Sequence, residues 1–94
     1  MIANYEFTVI LPSDEEKMKD ALSFVNGELQ KAGATITKQE DLGVKTLAYE
    51  IAKQNKGHYV YFELSADTQS IVVLSRAFQL SSHVLKFLFV NPEK

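Results

Sequence analysis

The sequence has no cysteine. That excludes disulfides, zinc–thiolate centres and thiol catalysis together, and it suits a reducing cytosol. It has a single arginine, Arg76, so any anion-binding surface must be small, local and built from lysine. No apolar run approaches the roughly 20 residues needed to span a bilayer. No basic stretch precedes the strand pattern that follows Met1-Ile2-Ala3-Asn4, so no signal peptide is expected. An excess of positive charge is also missing. The net charge of −2 argues against a nucleic-acid binder that works by bulk electrostatics.

What is present is an ordinary globular mixture. The chain has 94 residues, enough for one domain over residues 1–94 and too few for two. A chain this short buries only about 60–65% of its unfolded surface, so its stability should be modest. Charge is unevenly spread. Residues 1–33 carry net −3, residues 34–58 carry +1, and residues 59–94 balance. The middle segment gains its sign from Lys38, Lys45, Lys53 and Lys56.

Period-two alternation of Tyr5, Phe7, Val9 and Leu11 against Glu6, Thr8 and Ile10 predicts a strand that ends at Pro12. Ser13, with Glu16 three residues on, predicts a capping box at the start of a helix. Asp14, Glu15 and Glu16 suit the positive end of its dipole. Met18, Ala21, Leu22, Val25, Leu29 and Ala32 form its apolar stripe, and Gly33 stops it. Gly27, inside the helix, is read as allowing close packing on a sheet. Residues 34–51 predict a long polar strand with an irregularity at Leu42-Gly43, followed by a hairpin loop over Lys53–Gly57. His58–Leu64 predicts the third strand. Ser65 or Asp67 caps a second helix carrying Ile71, Leu74 and Phe78, and Val84–Val90 is the last strand.

The order strand, helix, strand, strand, helix, strand predicts an α+β fold of βαββαβ type. Right-handed crossovers give a four-stranded antiparallel sheet with both helices on one face. The expected core is Phe7, Val9, Leu11, Leu22, Val25, Leu29, Val60, Phe62, Leu64, Ile71, Leu74, Phe78, Phe87 and Phe89. The opposite sheet face is bare, and parity puts Thr8, Ile10, Tyr59, Tyr61 and Leu88 on it. Exposed aromatics there suit a partner, although tyrosines are also ordinary strand formers.

Lys56-Gly57-His58-Tyr59-Val60-Tyr61-Phe62 partly matches an RNA-recognition-motif signature but is one residue short and lacks a stacking position. The match reflects shared topology more than shared stacking. Lys45, Lys53 and Lys56 could form a phosphate-facing patch, or be ordinary solvated lysines of a hairpin. No Ser/His/Asp arrangement and no metal-spaced histidine pair occurs; His58 and His83 read as surface residues at strand starts. Acylphosphatases share the topology but need an arginine in a phosphate-cradling loop, and Arg76 lies inside a helix. An enzyme is not expected.

Three stretches carry a resemblance. They are Tyr5-Glu6-Phe7-Thr8-Val9-Ile10-Leu11, then Leu42-Gly43-Val44-Lys45-Thr46-Leu47-Ala48-Tyr49-Glu50-Ile51-Ala52-Lys53, and Gly57-His58-Tyr59. Together, over residues 4–91, they resemble the bacterial ribosomal protein S6 family of the small subunit, whose pattern includes L-A-Y-x-I-x-K. The resemblance implies a non-enzymatic structural role in the cytoplasmic ribosome, with no cofactor, no membrane and no small-molecule substrate. It also implies two partners, the central domain of 16S ribosomal RNA and small-subunit ribosomal protein S18. Family members often carry arginines where this chain has Ala3, Asn4, Gln79, Ser81 and Leu85. The expected RNA-facing residues are Lys45, Lys53, Lys56 and Lys86. Tyr49, Tyr59 and Tyr61 are expected to face the protein partner, Tyr49 where the RNA-facing hairpin meets it. The alternative, from another class, is a small regulatory domain that oligomerises through its open sheet face.

Overall fold

A computed structural model describes residues 1–92. Its elements are β1 (Ile2–Pro12), α1 (Glu15–Lys31), β2 (Thr35–Ile51), β3 (Gln54–Asp67), α2 (Thr68–Leu80) and β4 (Lys86–Val90). All strand pairs are antiparallel, in the order β2-β3-β1-β4. This is the expected ferredoxin-like βαββαβ fold.

The alternation of β1 builds the core directly. Phe7, Val9 and Leu11 are fully buried and share one face with Val60, Phe62 and Leu64 of β3. Ala21, Val25 and Leu29 of α1 and Leu74 and Phe78 of α2 cover that same face. Phe7 is the centre of the ring packing, 4.2 Å from Phe89, 5.3 Å from Phe78 and 5.5 Å from Phe62 between ring centres. Phe87 and Phe89 turn inward, and Leu88 turns out. Leu22, Ile71, Phe87 and Phe89 are half-buried and pack around the fully buried residues.

The helix caps are resolved by side-chain geometry. Asp14, not Ser13, caps α1: its carboxylate accepts the Lys17 N–H at 3.1 Å, and the helix begins at Glu15. The predicted cap is therefore one residue early. Of the two candidates for α2, Asp67 is the cap, accepting the Gln69 N–H at 2.9 Å. Gly33, at φ +77, ends the first helix in the left-handed region that glycine tolerates best. Gly27 has no packing reason. A Cβ there would meet nothing within 4 Å, so the close approach expected of it does not exist.

The second strand is interrupted three times, between Ile36 and Lys38, Asp41 and Gly43, and Thr46 and Ile51. At the middle bulge Gly43 adopts φ +83. The Asp41 carboxylate accepts the Gly43 N–H at 2.8 Å and meets His58 Nε2 at 2.5 Å. These contacts, the Gly43 bond foremost, hold the Asp41 carboxyl below its usual value. The hairpin turn also differs from expectation. It consists of Ala52 and Lys53, both at positive φ, with Ile51 paired to Gln54. The predicted loop over Lys53–Gly57 is thus a two-residue turn, and Gln54–Gly57 already belong to β3.

Candidate nucleic-acid interface

The sheet face away from the helices is built in cross-strand rows. Tyr59 of β3, Ile10 of β1 and Lys86 of β4 form one. Tyr61, Thr8 and Leu88 form the next, and Glu63, Glu6 and Val90 the third. Parity thus places Thr8, Ile10, Tyr59, Tyr61 and Leu88 as expected. The rows also grade in chemistry, from a basic aromatic end to an acidic end.

The basic end is not bare. The distal part of the β2–β3 hairpin folds across it. Leu47 is buried, and so is Ile10 despite lying on the outer face. Both close on Gly57: a Cβ there would stand 2.4 Å from Ile10 Cγ2 and 3.3 Å from Leu47 Cδ2. The bulge between Thr46 and Ile51 carries Tyr49 over two intervening strands to β4. There Lys86 Nζ donates to the Tyr49 hydroxyl at 2.8 Å. That bond, above all, raises the Lys86 pKa. The same ammonium is 5.4 Å from the Tyr49 ring centre. The two distances differ by nearly the length from a phenol's ring centre to its oxygen. The ammonium therefore lies beyond the hydroxyl, close to the long axis of the ring, and not above a face. Lys45, by contrast, places its ammonium 5.5 Å from the centre of the Tyr59 ring.

Lys45 and Lys86 are thus brought to one surface with Tyr49 and Tyr59. Lys53 stands at the hairpin turn. Lys56, paired with Thr46 and adjacent to Gly57, alternates to the other side of the strand. None of these four lysines has a carboxylate partner among the described residues, whereas Lys19, Lys31 and Lys38 pair with Glu15, Glu28 and Glu40. Lys17, in the acidic first turn of α1, is likewise unpaired. A lysine without a local acid keeps its charge available to an external anion.

At the opposite end the Tyr61 hydroxyl lies 2.9 Å from Glu63 and 3.2 Å from Glu6. Its single proton serves one carboxylate at a time. Partial burial and the two carboxylates push this phenol well above its usual pKa.

The chain matches the ribosomal protein S6 family over residues 4–91. It belongs to that family. The small ribosomal subunit protein bS6 of Treponema denticola is 36% identical over 90 residues, 96% of this chain and 97% of that one. The bS6 protein of Clostridium novyi is 38% identical over 93 residues, covering 97% and 98%. The crystal structure of 30S ribosomal protein S6 from Thermotoga maritima has the same fold, with a TM-score of 0.86 at 22% identity, covering 99% of this chain and 90% of that one. S6 proteins are structural constituents of the small ribosomal subunit and not enzymes, which displaces the alternative of a regulatory domain.

Membership also explains which features escaped sequence reasoning. Leu47 and Tyr49 stand in the L-A-Y segment that carries the family resemblance. In the fold they are the residues that lay the hairpin across the sheet, one through Gly57 and Ile10, the other through Lys86. The segment itself was the available signal, but nothing in it names Ile10, Gly57 or Lys86 as its contacts.

Proposed function

We propose that this small-subunit ribosomal protein docks on the central domain of 16S ribosomal RNA together with ribosomal protein S18. In this reading Lys45, Lys53, Lys56 and Lys86 meet RNA phosphates, and Tyr59 and Tyr61 face the protein partner. Tyr49 sits where the two surfaces join. One observation carries the reading: among the described residues the lysines of the hairpin and β4 have no acidic partner, and two of them share a surface with Tyr49 and Tyr59. The acidic first turn of α1 would repel phosphate.

The chemistry of the site is electrostatic positioning. Each lysine that neutralises a phosphate releases condensed counterions. Four such contacts are too few for tight binding alone, so the second protein must supply further surface. The test is binding of central-domain RNA with and without ribosomal protein S18. The partner should tighten binding by roughly 5- to 150-fold, the usual range of coupling between two ligands. Nanomolar binding by the isolated protein at physiological salt would refute the need for a partner. Absence of binding even with the partner would refute the RNA reading itself.

A further inference from the structure

Tyr49 is 60% exposed, yet its hydroxyl is held by a hydrogen bond. The fixing contact is at the tip of the ring. Lys86 holds the hydroxyl from beyond the oxygen, so the bond restrains the ring while leaving its π faces uncovered by the ammonium. A fixed aromatic surface loses little conformational entropy when something stacks on it. A merely stabilising tyrosine would be expected to bury its ring, as Leu47 beside it buries its side chain.

We propose that Tyr49 is a stacking platform for one unpaired nucleobase, with Lys86 holding the phosphate beside it. The inference rests on the RNA reading above and names the kind of RNA element it requires. An ammonium has three donors, and the Tyr49 hydroxyl uses one, so two remain for phosphate oxygens. Between Gly43 and Gly57 the only acid is Glu50, against Lys45, Lys53 and Lys56. That balance favours a polyanion over a basic peptide. The base must be unpaired, because paired bases in an A-form helix have both faces covered by their neighbours. Sequence preference should be slight, since every base presents a π face.

The experiment is an NMR titration of the whole protein at low salt with hexa-adenylate and, separately, an RNA duplex long enough to stay paired, with affinities compared per phosphate. Wild type, Tyr49→Leu, Tyr49→Phe and Lys86→Ala are compared, and a thermal melt of each shows that it is folded. Wild type should prefer the single strand, with the Tyr49 ring protons moving upfield. Tyr49→Leu should lose about 5- to 100-fold for hexa-adenylate and little for the duplex. Tyr49→Phe should keep the preference for the single strand. Lys86→Ala should weaken both RNAs. If Tyr49→Leu weakens neither RNA, or both equally, the stacking platform is overturned while the lysine contacts stand. If it alters only association with ribosomal protein S18, Tyr49 is a protein contact and the inference fails. If wild type binds neither probe, nor central-domain RNA in the presence of S18, the RNA reading fails and takes this inference with it.

Discussion

Gly57 and Ile10 meet with no room for another atom between them. A Cβ on Gly57 would lie 2.4 Å from Ile10 Cγ2, a branch too close to its own backbone to swing away. The contact lies under the folded hairpin, with Leu47 closing the other side. Gly57→Ala should therefore cost about 1–3 kcal/mol, the usual penalty of overpacking. Ile10→Ala removes the opposing atom, so the double variant should be less destabilised than the two single effects added. Urea midpoints across this double-mutant cycle measure the coupling; strict additivity would show that the two residues do not press on each other.

Phe62 is fully buried, and its ring lies 5.5 Å from that of Phe7. Phe62→Ala should cost about 3–5 kcal/mol, a large part of a small domain's stability. Chemical denaturation checks this. A midpoint close to wild type would contradict the placement of β3 in the sheet.

Two carboxylates respond to acid in the same sense. Asp67 is held below its usual pKa by the Gln69 N–H and the N-terminal ammonium, and Asp41 by the Gly43 N–H and His58. A depressed folded pKa gives stability that is present above the unfolded carboxylate pKa and is lost as pH falls through the folded one. Thermal stability should thus decline as pH drops below about 4. Asp67→Asn and Asp41→Asn should each make that decline shallower, as thermal melts across the acid range will show.

Binding of RNA by the isolated protein should be weak and only moderately sensitive to salt. Three or four phosphate contacts give a slope of log affinity against log salt of about −2 to −3.6. Titrations at several salt concentrations measure it. A much steeper slope would require cationic contacts beyond the four lysines named.

The hairpin lysines, and not the acidic start of α1, should govern assembly. Changing Lys45, Lys53 and Lys56 together to alanine should weaken incorporation into reconstituted small subunits without unfolding the protein. Reversing charge at Glu15 should change incorporation little. Reversing Asp14 also removes the α1 cap and should cost about 0.5–2 kcal/mol of stability, whereas Asp14→Ser keeps a capping oxygen and should not. Normal incorporation of the triple variant alongside failure of the charge-reversed one would put the RNA surface on the helix.

The fold was legible because its periodicities are clean. Alternation in β1, β3 and β4 marks the inward residues, and the stripes of both helices point to the same core. The folded-over hairpin was not legible. Its turn, Ala52-Lys53, takes positive φ with neither glycine nor asparagine. The Asn55 and Gly57 that resemble a turn instead lie in β3. Parity placed Ile10 on the outer face correctly, yet it is buried there, because burial depends on where Leu47 returns and not on local pattern. Lysines 45 and 56 looked equivalent in sequence. A register that pairs Lys45 with Gly57 and Thr46 with Lys56 sends them to opposite sides.

The tyrosine caught between Glu6 and Glu63 lies two strand positions from Tyr59, which carries the Lys45 ammonium on its ring. The outer face of the sheet is therefore a small electric dipole laid flat on the molecule, and a polyanion exerts a torque on it before any atom touches. On the RNA reading proposed above, that face should turn its Lys45 and Lys86 row toward the polyanion and its Glu6 and Glu63 row away.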